Sequence, residues 1–279
     1  MREPFLQQTD RQELHLQEWE EANPGLVAGF TIRSGGVSTE PFGTMNMGLH
    51  VGDEPSAVVT NRRRLAKSLG MSFDAWTCAD QVHGNRVCEV TAGGAGRESL
   101  EDVIPATDGL FTRRAGILLT SFYADCVPLY FLDPDNRAIG LAHAGWKGTV
   151  SRIAEEMVVA LGKKYGTRPE RLLVAIGPSI CGRCYEVDER VTSQVRTSAI
   201  HWSSAVVPLD TGRYLLDLPR LNQEILKECG VSPEHIRQTG WCTSCRSDLF
   251  FSHRKEAGRT GTTGRMASFI GWREEQSAT

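Results

Sequence analysis

The feature that most constrains the fold is a pair of apolar runs separated by a four-residue polar turn. Residues 127–132 and 138–142 each have the composition of a buried strand, and the intervening Asp-Pro-Asp-Asn at 133–136 is typical of a tight turn. A connection this short joins antiparallel neighbours, because parallel strands need a long crossover. The two runs therefore predict a β-hairpin, and a sheet that contains it has antiparallel pairs.

Helix and strand signals alternate along the rest of the chain. After the hairpin, Ile153, Met157 and Leu161 recur every four residues and a glycine follows two lysines, which predicts an amphipathic helix. Similar signals predict further helices and strands. The helices are expected at 55–70 and 221–230, and the strands at 86–90, 116–120 and 172–178. This interleaving predicts a layered α/β fold with a mixed sheet, and no segment marks a domain boundary within residues 1–279.

Composition limits the partners and the location of the protein. The chain has 279 residues, 40% of them apolar, and a formal charge of −3, so it can bury a full core but has no broad basic field for nucleic acid. Residues 1–24 are polar and acidic, lack the apolar stretch of a signal peptide, and are expected to form an N-terminal extension or an edge element. Asp125 and Pro128 interrupt the most apolar stretch, 116–132, which excludes it as a transmembrane helix. We expect a cytoplasmic protein that binds neither nucleic acid nor membrane, with no signal for a particular oligomeric state.

The eight cysteines are expected to be thiols, metal ligands or a nucleophile, because the cytosol keeps thiols reduced. Two pairs have CxxC spacing, Cys181 with Cys184 and Cys242 with Cys245. The stretch between the pairs is far longer than in the usual zinc ribbons. This spacing argues against a shared four-sulfur zinc site.

Three reactive side chains lie where a predicted strand gives way to a glycine or a proline. They are His83 in QVHG (81–84), Cys126 in ADCVPL (124–129) and His143 in AHAGWKGT (142–149). Taken singly, each histidine is more often a hydrogen-bonded residue than a ligand, and a lone cysteine in an apolar strand is usually a small hydrophobe. Together, two imidazoles and a thiolate form a three-ligand zinc set with an open fourth position, as catalytic sites have. The predicted hairpin would bring Cys126 and His143 onto neighbouring strands.

Two glycine-containing segments are candidates for binding substrate or phosphate. In AHAGWKGT, Gly145 and Gly148 precede a helix that is expected to begin near residue 149, so backbone N–H groups and the Lys147 ammonium would face an anion. In RSGGVS (33–38), Arg33 is a candidate contact to an anion or a base. Tight turns that need glycine φ angles explain both segments equally well.

At these residues the sequence closely resembles the laccase-domain family, whose members are variously labelled multicopper polyphenol oxidase, purine nucleoside phosphorylase and peptidoglycan editing factor. One departure lies at CGRC (181–184), where the family usually has Gly-Pro-Cys-Cys, so Cys184 fits the pattern and Cys181 does not. The matching motifs run through almost the whole chain: RSGGVS, MNMGLHVGDEP (45–55), QVHG, ATDGL (106–110), ADCVPL, AHAGWKGT, IGPSICGRCYEV (176–187) and TGRMA (263–267).

The resemblance implies a single-domain αββα sandwich with mixed β-sheets and one zinc ion per chain, held by His83, Cys126 and His143. It also implies that purine nucleosides and phosphate are the partners. The implied reactions are phosphorolysis of adenosine, inosine, guanosine and methylthioadenosine, and hydrolytic deamination of adenosine. Within the matched motifs, Asp125 is a further catalytic candidate and Asn46 a candidate substrate contact.

The oxidase label can be tested on the sequence itself. A multicopper centre needs many imidazoles, typically in HxH pairs, and this chain has seven histidines and no HxH. Multicopper laccase chemistry is therefore not expected, although copper(II) could occupy the zinc site adventitiously because it outcompetes zinc in affinity. The HxE and PCxxC pattern of base deaminases is also absent, so deamination would need another proton shuttle.

These observations leave three functional hypotheses. The first is a zinc-dependent purine nucleoside enzyme, in which Asp125 or Lys147 is the proton or anion partner and phosphate binds near 145–149. The second is a metal-free cysteine hydrolase with Cys126 as nucleophile and His83 or His143 as its base. The third is a non-catalytic editing partner in peptidoglycan-precursor metabolism, with zinc as a structural clasp.

Overall fold

The computed structural model describes residues 2–7 and 12–274, which form two six-stranded sheets, a small three-stranded sheet and flanking helices. The strands are β1 (Leu6–Gln7), β2 (Glu13–His15), β3 (Leu26–Thr31), β4 (Trp76–Thr77), β5 (Val87–Glu89), β6 (Gly109–Thr112), β7 (Ile117–Tyr123), β8 (Val127–Asp133), β9 (Ala138–Ala144), β10 (Leu173–Ile176), β11 (Glu186–Val187), β12 (Val206–Pro208), β13 (Tyr214–Leu216), β14 (Ile236–Gln238) and β15 (Met266–Trp272). The helices are α1 (Gln17–Ala22), α2 (Pro55–Ser68), α3 (Trp146–Val150), α4 (Ile153–Tyr165), α5 (Glu189–Val195), α6 (Leu218–Glu228) and α7 (Gly258–Thr260).

Both large sheets are mixed, as the sequence predicts. The first has the order β1-β2-β3-β15-β7-β4, with β1 and β2 at one edge and a single parallel pair, β4 with β7. The second has the order β14-β10-β8-β9-β6-β5, with parallel pairs only at its two ends. Strands β11, β13 and β12 form the third sheet.

The predicted hairpin is confirmed at the centre of the second sheet. Strands β8 and β9 pair antiparallel from Val127 opposite Ala144 to Asp133 opposite Ala138. The Asp133 carboxylate accepts hydrogen bonds from the backbone N–H groups of Asp135 and Asn136, which closes the turn. The open end of the hairpin, at 126–127 and 143–144, lies far from this turn.

The alternation of side chains along the central strands produces four layers. On β7, Leu119 and Tyr123 belong to the core between the two sheets, whereas Leu118 and Phe122 pack in the core beneath α2. On β8, the even-numbered apolar side chains face the first sheet and the odd-numbered ones pack against α4 and α6. The αββα sandwich is therefore confirmed.

Three predicted helices are confirmed, and one begins earlier than expected. α2 starts with Pro55, α4 ends before Gly166 in the left-handed conformation (φ 73°), and α6 occupies 218–228. The helix expected near residue 149 instead begins at Trp146, because Gly145 is extended and serves as its N-cap, which places Gly148 inside α3. None of the helices in the described part of the chain is long and apolar enough to cross a membrane.

Candidate metal centre

The structure brings His83, Cys126 and His143 together. One potential ligand atom from each residue lies within 4.8 Å of those of the other two. The two imidazole rings are 4.8 Å apart between centroids and nearly perpendicular, with an interplanar angle of 76°. A cluster of two imidazoles and a thiol in this arrangement could hold a metal ion.

The open end of the hairpin explains why Cys126 lies next to His143. Cys126 immediately precedes β8, and His143 on β9 is opposite Pro128. Side chains on the same face of neighbouring strands are close, so the register brings the Cys126 sulfur and the His143 imidazole together on one face, where the two strands end. His83 comes from the loop between β4 and β5 and adopts the left-handed backbone conformation, with φ 61°.

Asp108 positions both histidines and was not identified from the sequence. Its buried carboxylate accepts a hydrogen bond from Nδ1 of His143 at 2.9 Å. It also accepts from the backbone N–H groups of Val82, His83 and Gly84, at 3.2, 3.0 and 2.8 Å. Since Nδ1 of His143 is engaged, Nε2 is the atom that this ring offers to a metal. The ATDGL motif that contains Asp108 was the available signal, but its role depends on the β6–β9 pairing.

The electrostatics of the trio favour a thiolate. Burial raises the pKa of the Cys126 thiol, but the neighbouring His143 and His83 outweigh burial and lower this pKa to about 6. Burial lowers the pKa of His143, and the opposing effects of Cys126 and Asp108 raise it to about 9. These opposing shifts favour a Cys126 thiolate beside a protonated His143 at neutral pH, and a bound cation would replace the imidazolium proton as the counter-charge.

Gly145 is required by the close approach of the chain to the trio. A Cβ atom at this position would lie 3.0 Å from Sγ of Cys126 and 3.0 Å from Cδ2 of His83. Gly148 has a similar constraint, since its Cβ would lie 2.9 Å from the carbonyl oxygen of Gly84. Gly145 is thus explained by close packing against the Cys126 and His83 side chains, and Gly148 by close packing against the backbone of the loop that carries His83.

The trio lies on the wall of a cavity of about 890 Å³. This volume falls in the range of small-molecule sites. Lys147, predicted as an anion contact, lines the cavity and is exposed. The cavity lining also includes aromatic side chains, namely Phe122, Trp146 and Tyr185, and two further basic ones, Arg254 and Arg265.

Asp125 lines the same cavity, but its carboxylate is occupied by protein donors. Oδ1 accepts from the hydroxyl of Thr243 at 2.7 Å, and Oδ2 accepts from the hydroxyl of Ser252 at 3.1 Å and the backbone N–H of Arg254 at 2.7 Å. Its own backbone is in the left-handed region, with φ 89°. Asp125 therefore ties the loops of the cavity wall together.

Arg33 and Asn46 are not among the cavity-lining residues. The Arg33 guanidinium donates to Glu256 at 2.6 Å and to the carbonyl of Ser247 at 2.6 Å. The Asn46 side chain is buried, and its Oδ1 accepts from the backbone N–H of Arg265 at 2.8 Å. In this structure Nη1 of Arg33 and the Asn46 amide are engaged with protein groups and support neighbouring loops.

The two CxxC pairs meet, contrary to the expectation from their spacing. The four sulfur atoms of Cys181, Cys184, Cys242 and Cys245 all lie within 4.8 Å of one another and could hold a metal ion. The sequence spacing did not reveal this convergence, because β10 and β14 are parallel neighbours and the segments that follow them start at the same end of the sheet.

Comparison with known proteins places this geometry in a family. Residues 27–273 match the family described as multi-copper polyphenol oxidoreductase laccase. The chain is 42% identical over 266 residues to the purine nucleoside phosphorylase YlmD of Bacillus subtilis strain 168, an alignment that covers 94% of this chain and 95% of the relative. It is 45% identical over 258 residues to the protein of the same name from Geobacillus stearothermophilus, covering 90% and 92% of the two chains.

Solved structures give the same assignment. The crystal structure of YlmD from Geobacillus stearothermophilus superposes with a TM-score of 0.92 at 43% identity, over 98% of this chain and 100% of that one. The hypothetical protein YfiH of Bacillus licheniformis superposes with a TM-score of 0.91 at 38% identity, over 97% and 99% of the two chains. The resemblance deduced from the motifs is thereby confirmed, and the chain belongs to the multi-copper polyphenol oxidoreductase laccase family.

Proposed function

We propose that the protein is a zinc-dependent purine nucleoside phosphorylase that acts on adenosine, inosine, guanosine and methylthioadenosine and also deaminates adenosine. The observation that carries the proposal is the convergence of His83, Cys126 and His143 on the wall of a cavity of nucleoside size. The curated relatives that are named purine nucleoside phosphorylase support the same reaction class.

The donor set fits zinc. Two imidazole nitrogens and one thiolate leave a fourth tetrahedral position open, and the Asp108 carboxylate orients the His143 ring as zinc-bound histidines usually require. When bound, zinc supplies a Lewis acid at the cavity wall. Within residues 2–7 and 12–274, the clusters of potential ligands contain only these two histidines, too few imidazoles for a multicopper centre. Copper(II) in this site would be adventitious.

The cavity lining suits the two substrates of phosphorolysis. In this reaction the C1′–N9 bond breaks, a phosphate oxygen bonds to C1′, and the purine leaves with a proton. Lys147 and Arg254 supply positive charge for phosphate, and Arg254 is held by the carbonyl of Glu186 at 2.8 Å and by the Tyr185 ring, 5.0 Å from its centroid. Tyr185 and Trp146 offer aromatic surfaces for the purine and the sugar. Lys147 takes the anion-partner role, because the Asp125 oxygens already accept three hydrogen bonds.

Deamination would use the same cavity with the base turned toward the metal position. Water adds to C6 of adenosine, the C6–N6 bond breaks, and ammonia leaves to give inosine. The two reactions differ in which part of the nucleoside faces the trio. Phosphate is therefore required for the first reaction and not for the second.

The proposal is tested by incubating the zinc-replete protein with adenosine, inosine or methylthioadenosine, with and without phosphate, and resolving the products by chromatography. We expect free purine from inosine and methylthioadenosine only with phosphate, and inosine from adenosine without it. Cys126→Ser should abolish turnover, whereas Cys88→Ser, a cysteine that does not line the cavity, should retain it. Zinc-loaded protein that converts none of these nucleosides would contradict the proposal.

A second candidate is the metal-free cysteine hydrolase, which the pKa of about 6 at Cys126 beside His143 favours. The two candidates differ in what removal of metal does. Chelation followed by exhaustive dialysis should abolish turnover of the zinc enzyme, and added zinc should restore it. A hydrolase that uses the free Cys126 thiolate would instead be inhibited by added zinc.

A further inference from the structure

The four-cysteine cluster formed by Cys181, Cys184, Cys242 and Cys245 has the geometry of a closed metal site. All four sulfurs lie within 4.8 Å of one another, and the sulfurs of Cys184 and Cys245 are 3.5 Å apart. In a tetrahedral site whose zinc–sulfur bonds are about 2.3 Å long, any two sulfurs lie slightly less than about 4 Å apart. The cluster is therefore close to the dimensions of a tetrathiolate site.

Backbone N–H groups point at one of these sulfurs. Sγ of Cys242 accepts from the N–H of Cys181 at 3.3 Å and from the N–H of Cys245 at 3.4 Å. The first bond crosses between the two CxxC segments, and the second closes a turn within one of them. Hydrogen bonds to a sulfur stabilise its thiolate form, which is the form that binds metal.

The surrounding chain fixes both CxxC segments in this position. Cys242 pairs with Ser179 in an isolated parallel bridge, and the N–H of Thr243 donates to the carbonyl of Ser179 at 3.1 Å. A Cβ atom on Gly182 would lie 2.8 Å from Cβ of Asp217, so the first segment packs tightly against the start of α6. The cluster is thus built from two loops that the sheet and α6 hold in place.

We propose that Cys181, Cys184, Cys242 and Cys245 bind a second zinc ion, which has a structural role distinct from that of the His83–Cys126–His143 centre. Four thiolates in a closed set select zinc or iron, and structural zinc sites use four protein ligands with no open position. On binding, the four S–H bonds break and their protons are released to solvent, and four zinc–sulfur bonds form, which leaves the site with a net charge of about −2 and no change of oxidation state. This inference does not depend on the proposed reaction.

The second zinc would hold the wall of the cavity. The N–H of Ile180, next to Cys181, donates to the carbonyl of Asp125 at 3.0 Å, and Thr243, next to Cys242, donates to the Asp125 carboxylate. Tyr185, which follows Cys184, lines the cavity itself. Joining the two segments through one ion therefore restrains the wall that faces the trio.

Metal content of matched variants tests the proposal. In protein purified under reducing conditions, we expect about two zinc ions per wild-type chain by elemental analysis, and about one in both Cys126→Ser and Cys245→Ser. Cys88→Ser should keep the wild-type content. Cobalt substitution separates the sites, because the thiolate-to-cobalt bands of a tetrathiolate should persist in Cys126→Ser and disappear in Cys245→Ser.

Several results would overturn the proposal. One is a single zinc ion in the wild type that is lost in Cys126→Ser. Another is stoichiometric iron in place of zinc. A third is a Cys184–Cys245 disulfide in protein prepared under reducing conditions. If Cys245→Ser does not fold, the cobalt spectrum of Cys126→Ser decides alone, since the His83–Cys126–His143 centre then lacks its only sulfur. A tetrathiolate spectrum in that variant supports the second site, and its absence refutes it.

Discussion

Asp108 connects two of the three segments that form the candidate metal centre. Its carboxylate accepts hydrogen bonds from Nδ1 of His143 and from the backbone N–H of His83. Hydrogen bonds to the amides and to His143 outweigh the effect of burial and hold the pKa of Asp108 below its ordinary value. One ionised side chain therefore sets both the orientation of the His143 ring and the position of His83.

The Asp108→Asn variant should bind zinc about 10–100-fold more weakly, because an amide offers less charge to His143 and cannot accept every hydrogen bond that the carboxylate accepts. Competition with a chromophoric chelator measures this change at the Cys126-containing site. Asp248→Asn, which alters an exposed carboxylate paired with Arg246, is the control and should bind zinc normally. Unchanged affinity in Asp108→Asn would refute the positioning role.

Cys126 should be an unusually acidic thiol once metal is removed. Its pKa is lowered to about 6, so alkylation by iodoacetamide should proceed above about pH 6 and fall off as the pH drops through that value. An ordinary cysteine thiol has a pKa of about 8.5, so its alkylation has its midpoint at that pH. The titratable groups that interact with Cys126 include His83 and His143, with Asp108 behind His143, and also Tyr123, Tyr185 and Arg265.

Peptide mapping of alkylated Cys126 at a series of pH values measures this midpoint. Stoichiometric zinc should block the reaction at every pH, because the thiolate becomes a ligand. A midpoint near that of a free thiol, or alkylation that zinc leaves unchanged, contradicts the account. Cys88, which lies outside the cavity lining, provides the internal reference in the same digest.

Individual residues differed in how far the sequence identified them. His83, Cys126 and His143 were found because each follows or precedes a strand signal next to a glycine or proline. Asp108 was missed because its partners, His143 on β9 and the backbone of the 82–84 loop, are distant from it in sequence. Arg33 and Asn46 were assigned to substrate because a polar residue in a glycine-rich motif looks the same whether it contacts a ligand or a neighbouring loop.

At the scale of elements, the turn between β9 and α3 determines how closely the chain approaches the metal centre. Gly145 ends the strand and caps the helix within one residue. A side chain at this position would meet the sulfur of Cys126 and the ring of His83. A methyl group added at Gly145 would therefore force either the turn or the Cys126 and His83 side chains to move.

The Gly145→Ala variant should lose most of its zinc at the trio and most of its turnover while retaining its fold. The control is Gly162→Ala within α4, where a Cβ atom would meet only the carbonyl of Thr167 at 3.4 Å. Elemental analysis in a Cys245→Ser background measures the zinc bound at the trio alone, and circular dichroism checks that the variant is folded. Normal zinc content in Gly145→Ala would show that the turn has more room than the structure indicates.

Asp125 joins the loops that follow β10 and β14 to the π-helical segment His253–Ala257. Asp125→Ala should remove three hydrogen bonds and leave buried donors unpaired, which lowers the free energy of unfolding by about 2 kcal/mol. Urea denaturation measures this loss. Hydrogen exchange should rise mainly in residues 243–254, and Asp248→Ala in the same segment is the control. Unchanged exchange there would contradict the tethering role.

The elements that the sequence predicted are those with local signals. The β8–β9 hairpin has its turn residues, α2 has its starting proline, and α4 has its glycine stop. The parallel pairing of β10 with β14 has no local signal, because the two strands are far apart in the chain. That one pairing is why the four-cysteine cluster was not expected.

At the scale of the whole molecule, one end of the αββα sandwich carries the functional side chains. The open end of the hairpin, the segment after β4 and the segments after β10 and β14 all contribute to one cavity. The four layers are packed by apolar side chains, and the polar groups concentrate where the strands end. The fold thus provides a rigid frame for the proposed metal centre, whose three candidate ligands come from three separate stretches.

Anomalous diffraction at the zinc absorption edge, from crystals of the protein purified without chelator, locates any zinc bound at the trio. We expect an anomalous peak within bonding distance of Sγ of Cys126 and of one ring nitrogen each of His83 and His143, with the fourth coordination position open to the cavity. A map with no peak there in zinc-replete crystals, or with the two rings turned away from the sulfur, would contradict this expectation.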